Sequence, residues 1–199
     1  CTTEKFTIGG QITDLLGNGL IITNNNQDNL VIDKDGEFQF PSAIFDHDNY
    51  AISVLKNPVN PVQTCTVSPN GVGQINGGDL RDITITCTTE KFKVGGRIIG
   101  LMGKGLTLTN NDNDHLTLDA DGEFQFSISI TDGDSYQVSV TGQPSQPNQT
   151  CNVSGGNGII SGSATKAVVI NCDTESYTVG GVLNGLLGSG LELQLNNQY

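Results

Sequence analysis

Hydrophobic and polar residues alternate along most of the chain, in short segments that end at glycine, asparagine, aspartate or proline. A period of two is typical of strands with one buried face, and no stretch has the spacing of a helix longer than one turn. The pattern therefore predicts about seven strands before the first recurrence of the amino-terminal sequence. They lie near residues 5–13, 20–23, 30–32, 37–40, 50–55, 63–67 and 80–86.

The whole pattern then begins again, because the string CTTEKF occurs at residues 1–6 and at residues 87–92. The alignment holds without a gap as far as Ser68 and Ser154, and one residue is then lost near residues 69–71. A third copy opens at Cys172, where CDTESYTVGG matches CTTEKFKVGG. Internal repetition of this strength is typical of tandem arrays. The sequence predicts a first repeat at residues 1–86, a second at 87–171 and the incomplete start of a third at 172–199, cut from a longer array.

Turn residues separate the predicted strands and suggest how they fold together. The segments Asp33 to Gly36 and Asp119 to Gly122 place a glycine where a hairpin turn requires positive φ. The Glu-Phe-Gln-Phe sequence after each turn puts two phenylalanines on one face, which predicts that they belong to the core. Seven short strands per repeat predict an all-β fold of tandem seven-stranded antiparallel β-sandwiches. Only about four residues separate consecutive repeats, so we expect a rod-like array.

The five cysteines form two classes, one at the start of each repeat and one late in each complete repeat. The simplest pairing joins Cys65 to Cys87 and Cys151 to Cys172. Each disulfide would close a loop of about 22 residues and stabilise the fold by about 3 kcal/mol on the chain-entropy estimate. Paired cysteines indicate an oxidising compartment, which is the periplasm, the cell surface or the medium.

Cys1 is left unpaired in this segment, and several interpretations of it stay open. Its partner lies in a preceding repeat, or Cys1 is the acylated first residue of a mature bacterial lipoprotein, or it forms an interchain disulfide or stays a free thiol. The cysteines are not expected to bind a metal, because no CxxC or CxxH spacing is present.

Charge and hydropathy together exclude two kinds of interaction. The 199 residues include 9 basic and 21 acidic ones, for a net charge of −12, and lysine and arginine form no cluster. A nucleic-acid partner is therefore not expected. No apolar run approaches the roughly 18–20 residues of a transmembrane helix, so the sequence predicts no membrane insertion.

The sequence contains no catalytic motif and predicts neither a catalytic residue nor a cofactor. GxSxG, HExxH and GxGxxG strings are missing, and Gly103-Lys104 precedes a glycine rather than the Ser or Thr of a phosphate-binding loop. The acidic loops leave two interpretations open, which are solubilising hairpin turns or a calcium site. An EF-hand is excluded, because the loops lack its downstream glutamate. Each repeat combines three oxygen-rich loops. They are an Asn/Asp run at residues 24–29 or 110–114, an Asp-x-Asp-Gly turn with Asp33 and Asp35 or Asp119 and Asp121, and an acidic loop with Asp46 and Asp48 or Asp132 and Asp134.

The recurring frame YTVGG, GLxGxGL, DGxFxF, QTC and VxVxC resembles tandem repeats of large secreted or surface-anchored bacterial proteins. It is carried here by residues 92–96, 100–103, 121–126, 136–140, 149–151 and 168–172. In outline the frame is similar to immunoglobulin-like, prealbumin-like and carboxypeptidase-regulatory-like β-sandwiches, which act as spacers in adhesins and extracellular assemblies. The resemblance implies an architecture and carries over no functional residue.

Together these features predict a non-enzymatic structural repeat of a bacterial extracellular fibre or adhesin stalk, located outside the cell or on its surface. The expected partners are neighbouring repeats of the same chain and, as a second option, other copies in a fibre. A ligand at the tip is not predicted. The alternative is a surface module that binds carbohydrate or calcium through the Asn/Asp-rich loops, although the chain has no Trp to stack on a sugar.

Overall fold

The fold is all-β, which confirms the prediction from the alternating pattern. The computed structural model describes residues 4–195. Ten strands form a first β-sandwich, and ten more form a second one with the same topology. The strands of the first sandwich are β1 Lys5–Phe6, β2 Ile8–Thr13, β3 Leu20–Asn24, β4 Asp28–Ile32, β5 Gly36–Gln39, β6 Ile44–Phe45, β7 Asn49–Lys56, β8 Gln63–Val67, β9 Val72–Gln74 and β10 Leu80–Thr89. The strands of the second sandwich are β11 Lys91–Phe92, β12 Val94–Ile99, β13 Leu106–Asn110, β14 Asp114–Leu118, β15 Gly122–Gln125, β16 Ile130–Thr131, β17 Ser135–Gly142, β18 Gln149–Ser154, β19 Asn157–Ile159 and β20 Thr165–Thr174.

Each sandwich contains two four-stranded sheets and one two-stranded sheet, which is β1-β6 in the first sandwich and β11-β16 in the second. The cysteine sheet has the order β5-β2-β10-β8 in the first sandwich and β15-β12-β20-β18 in the second. The opposite sheet has the order β4-β3-β7-β9, or β14-β13-β17-β19. The other strand pairs are antiparallel, as predicted, whereas the pairs β2–β10 and β12–β20 are parallel. The reason is that the last strand, β10 or β20, returns beside β2 or β12 in the same direction, after the chain has passed through both sheets.

Side chains from both sheets form the core of each sandwich. In the first sandwich, Ile22 of β3 and Ile83 of β10 are fully buried in the same cluster. The rings of Phe38 and Phe40 lie edge to face there, with centroids 5.9 Å apart. Their equivalents in the second sandwich are 5.8 Å apart. The prediction that these phenylalanines belong to the core is confirmed.

All seven predicted segments form strands, the first of them divided into β1 and β2, but two short strands and one turn differ from expectation. The pattern does not predict β6 and β9, because they are only two and three residues long. The turn at residues 33–36 does not close a hairpin, since β4 pairs with β3 whereas β5 pairs with β2 in the other sheet. Gly36 does have a positive φ of 129°. The turn therefore carries the chain from one sheet to the other.

One residue connects the two sandwiches. β10 continues through Cys87 to Thr89, so that Glu90 alone separates it from β11. The predicted spacing of about four residues is longer because the pattern places the end of the strand at residue 86. The structural unit is thus shifted by a few residues from the sequence period that begins at Cys1 and Cys87.

Residues 175–195 follow the second sandwich and form no extended strand. Val179 and Leu191 are exposed in this segment, whereas the equivalent Val94 and Leu106 are fully buried in the second sandwich. The expected third copy therefore has apolar residues at core positions, but its described part does not form a sandwich. Residues 196–199 lie outside the described residues.

Candidate functional site

Each cysteine sheet contains one disulfide. Cys65 in β8 lies directly opposite Cys87 in β10, and their Sγ atoms are 2.00 Å apart. Cys151 in β18 and Cys172 in β20 have the same arrangement, with an Sγ–Sγ distance of 2.04 Å. All four side chains are buried. The bonds attach the edge strands β8 and β18 to their sheets. Cys1 lies outside the described residues.

Replacing Cys65 and Cys87 together by alanine should lower the free energy of unfolding of the first sandwich by about 3 kcal/mol, because the unfolded chain regains the freedom of the closed loop. The second sandwich is the internal control, since its disulfide is unchanged. Native-state hydrogen exchange measures the stability of the two cores separately. Equal protection of the first core in the variant and the parent protein would contradict the prediction.

A buried glutamine fixes the glycine turn, which is residues 14–19 between β2 and β3. The Oε1 atom of Gln63 accepts the N–H groups of Leu16 and Gly17, both at 2.8 Å. Its Nε2 atom donates to the carbonyl of Asp14 at 2.8 Å and to the hydroxyl of Thr89 at 3.1 Å. Gln63 is 1% exposed. One side chain therefore joins the start of β8 to the glycine turn and to the end of β10.

Gln149 makes the same four hydrogen bonds in the second sandwich. Its Oε1 atom accepts from the backbone at 2.7 and 2.8 Å, and its Nε2 atom donates at 2.7 and 3.1 Å. Neither glutamine is predicted from the sequence as a functional residue. The available signal was the string QTC, which places a glutamine two residues before Cys65 and Cys151 alike. The conserved geometry within one chain shows that this residue is part of the repeat's architecture.

The acidic turns are held mainly by the backbone of their own sandwich. The carboxylate of Asp35 accepts the N–H of Leu15 at 2.7 Å and the N–H of Asp14 at 3.1 Å. Asp121 accepts the two equivalent N–H groups at 2.6 and 3.0 Å. These carboxylates connect the turn after β4 or β14 to the glycine turn.

The carboxylates of the candidate calcium loops do not form a cluster within either sandwich. Asp119 accepts the N–H of Gly105 at 2.7 Å, and Asp33 is exposed. Within residues 4–195, no three His, Cys, Asp or Glu side chains form a group that could hold a metal ion. The hydrogen bonds of Asp35, Asp119 and Asp121 give these carboxylates a role in fixing turns.

Two exposed carboxylates are held ionised by their neighbours. The N–H of Thr7 donates to Asp79 at 2.7 Å and, with the nearby Arg81, lowers the pKa of Asp79. The Nζ atom of Lys166, 2.8 Å from the carboxylate of Glu123, lowers the pKa of Glu123. A lowered pKa in the folded state adds stability above the unfolded-state pKa, and this is lost as the pH falls through the lowered value. Neither group is tuned for acid–base catalysis at neutral pH.

A groove of about 560 Å³ lies on the cysteine sheet of the first sandwich. Its charged side chains are Glu37 and Arg81, and Arg81 donates to Gln39 at 2.7 Å. The residues around the groove include no histidine, cysteine or serine. The groove therefore lacks the pairing of a nucleophile with a base that hydrolytic or transfer chemistry needs.

A buried aspartate bridges the two sandwiches. Asp132 follows β16 in the second sandwich and is 5% exposed. Its Oδ2 atom accepts the N–H of Val62 from the first sandwich at 2.6 Å. Its Oδ1 atom accepts the N–H of Gly162 from its own sandwich at 2.7 Å. Val62 ends the proline loop, which we define as residues 57–62 between β7 and β8. The proline loop of one sandwich is thus bound by the carboxylate of the next.

Glu90 completes a ring of hydrogen bonds at this junction. The N–H of Glu90 donates to the carbonyl of Val62 at 2.9 Å, and the carbonyl of Glu90 accepts the N–H of Asp132 at 2.9 Å. The side chain of Glu90 also accepts the hydroxyl of Thr64 at 2.5 Å. Each sandwich therefore contacts the connecting residue and the other sandwich. Such a ring resists rotation about the single-residue connection.

Fold and site together define two β-sandwiches, each with one internal disulfide, and a hydrogen-bonded junction between them. Among solved structures, the chain is similar to the major pilin protein T-13 of Streptococcus pyogenes, with 10% identity, a TM-score of 0.27, and 87% of this chain and 98% of that chain covered. The T3.2 major pilin protein of the same species gives 10% identity, a TM-score of 0.24, and coverage of 88% and 99%. No family model and no curated protein sequence matches.

Proposed function

We propose that the chain is a non-enzymatic structural segment of a bacterial extracellular fibre or adhesin stalk, stiffened by one disulfide per repeat. The observation that carries this proposal is the junction, where Asp132 and Glu90 join the sandwiches through hydrogen bonds in place of a flexible linker. A stalk has to keep its two ends at a fixed distance and in a fixed orientation. A short, hydrogen-bonded connection between small sandwiches is suited to that task.

The repeat boundaries follow from the sequence period. Residues 1–86 and 87–171 are two successive units of a rod-like array, and residues 172–199 begin a third. The partners of each unit are the neighbouring repeats of the same chain. Other copies in a fibre are a second class of partner.

The disulfides favour an extracellular or bacterial cell-surface location, because the cytosol keeps thiols reduced. In the part of the chain that the structure describes, no helix has the length and apolar character needed to cross a membrane.

Asp132→Ala should loosen the junction and leave both sandwiches folded. The variant loses the acceptor for the Val62 N–H, whereas the cores and disulfides are untouched. Small-angle X-ray scattering should show an elongated parent protein and a broader distribution of shapes for the variant. Residual dipolar couplings should show that the two sandwiches of the variant no longer share one alignment tensor.

Asp46→Ala is the matched control. Asp46 occupies the equivalent position in the first sandwich and accepts the N–H of Gly77 at 2.9 Å, as Asp132 accepts the N–H of Gly162. The contacts of Asp46 all lie within the first sandwich, so its loss should leave the alignment of the two sandwiches unchanged. A parent protein that scatters as a compact or freely jointed particle would overturn the proposed stalk.

A further inference from the structure

The second sandwich binds the proline loop through a surface that includes Asp132 and Gly162, which we call the receiving surface. The first sandwich has an equivalent receiving surface with Asp46 and Gly77. In the second sandwich, the N–H of Asp132 donates to Glu90 at 2.9 Å and its Oδ1 atom accepts from Gly162. In the first sandwich, the N–H of Asp46 donates to the carbonyl of Glu4 at 3.0 Å and its Oδ1 atom accepts from Gly77. Both aspartates are thus held in the same way by their own sandwich. In each case the Oδ2 atom is the one that remains for a neighbour.

Equivalent residues are more buried at the junction than at the two outer ends of the pair. Asp132 is buried under the proline loop, whereas Asp46 is only partly buried. At the opposite end, Pro61 and Val62 are partly buried against the second sandwich, whereas the equivalent residues 147 and 148 are exposed. The surfaces that are covered at the junction therefore recur uncovered at both outer ends.

The residues ahead of the first sandwich match those that form the junction. Residues 1–4 and 87–90 share the sequence CTTE. In the second occurrence, Cys87 and Thr88 lie opposite Cys65 and Thr64 in β8, and Glu90 belongs to the hydrogen-bonded ring. The first occurrence therefore has the residue types that would complete the last strand of a preceding sandwich, as residues 87–89 complete β10. Glu4 has the position of Glu90 beside the receiving aspartate.

We infer that the surface formed by Glu4, Asp46 and Gly77 binds the proline loop of a preceding repeat of the same chain. The N–H of the residue after the second proline of that loop donates to Asp46 Oδ2, as the N–H of Val62 donates to Asp132. The N–H of Glu4 donates to the carbonyl of the same residue. Cys1 pairs with the late cysteine of the preceding repeat. The inference rests on the proposed array and specifies its junction.

One difference between the two surfaces predicts a local rearrangement. His47 of the first sandwich has the position of Gly133, which lies near Pro61 at the junction. The Nε2 atom of His47 is 3.6 Å from Asp46 Oδ2, and its side chain is exposed. The imidazole therefore has to turn away from the carboxylate when a proline loop binds. A change in the His47 ring signals accompanies docking.

The test uses the full chain extended by one upstream copy of residues 4–86, so that the copy runs directly into Cys1. The Val62 N–H of the added copy should be protected from hydrogen exchange, as the native Val62 N–H is. Asp46→Ala should speed the exchange of this N–H about tenfold, the change expected for loss of about 1.4 kcal/mol. Asp46→Asn, which keeps an acceptor for the N–H of Gly77, should have the same effect. Non-reducing peptide mapping should link Cys1 to Cys65 of the copy.

The control is Asp132→Ala in the same extended chain, which should speed exchange only at the native Val62. If the added copy's Val62 exchanges equally fast with and without Asp46, while scattering shows a particle lengthened by one repeat, the docking surface is wrong and the array stands. If the added repeat does not lengthen the particle, the array itself fails. A Cys1 that pairs elsewhere in the folded, extended chain would also overturn the inference.

Discussion

Substitution of Gly10 by alanine is expected to unfold the first sandwich. The parallel strands β2 and β10 place Gly10 opposite Ile83. A Cβ atom on Gly10 would overlap the carbonyl oxygen of Ile83 and lie 2.7 Å from its carbonyl carbon. Both are backbone atoms held by the sheet, so neither can move aside without separating the strands. The expected loss is at least about 4 kcal/mol, against about 5–10 kcal/mol for a domain of this size.

Native-state hydrogen exchange of the two cores is the measurement, and Gly78→Ala is the matched control. A Cβ atom at Gly78 meets no atom within 4 Å, so stability should change by less than about 0.5 kcal/mol. Gly96→Ala should unfold the second sandwich instead, because its Cβ atom would overlap the carbonyl of Val168. If the first core of Gly10→Ala is protected from hydrogen exchange as strongly as that of the parent protein, β2 and β10 do not approach each other as closely as the structure indicates.

The strands could be predicted from the sequence because alternation is a local property. Six of the seven predicted segments have four or more residues, which is enough to show a period of two, whereas β6 and β9 have only two and three. The partners of each strand are set by contacts between residues far apart in the chain. The parallel pair β2–β10 joins the two ends of a repeat, and no local pattern reports it. The same holds for the turn at residues 33–36, whose glycine fits a hairpin but whose flanking strands belong to different sheets.

The candidate site could be predicted only where repetition revealed it. The cysteines recur in two classes, and that regularity predicts pairs. The role of Gln63 depends on backbone groups 46 to 49 residues away, and Asp132 binds an N–H group 70 residues away in the other sandwich. A lone glutamine does not stand out in a polar, weakly charged sequence, and the acidic loop that contains Asp132 suggests a calcium ligand rather than an acceptor for Val62. The repeated contacts in three dimensions identify them.

Replacing Gln63 by alanine is expected to cost the first sandwich about 4 kcal/mol, from four hydrogen bonds of roughly 1 kcal/mol each. The substitution has two structural effects. The N–H of Gly17 is buried, so it is left without a partner, and the glycine turn loses its connection to β8 and β10. A domain of this size retains little stability after such a loss. The effect should therefore exceed that of removing the disulfide.

Gln63→Leu separates hydrogen bonding from volume, because leucine nearly fills the space of glutamine but can neither donate nor accept. Both variants should lose protection from hydrogen exchange in the first core alone, and Gln149→Leu should do the same in the second. Gln11→Ala is the control, since Gln11 is exposed on β2 and should matter little. If Gln63→Leu keeps the parent's protection, the four bonds contribute nothing net, and the glycine turn is held by Asp35 and the core alone.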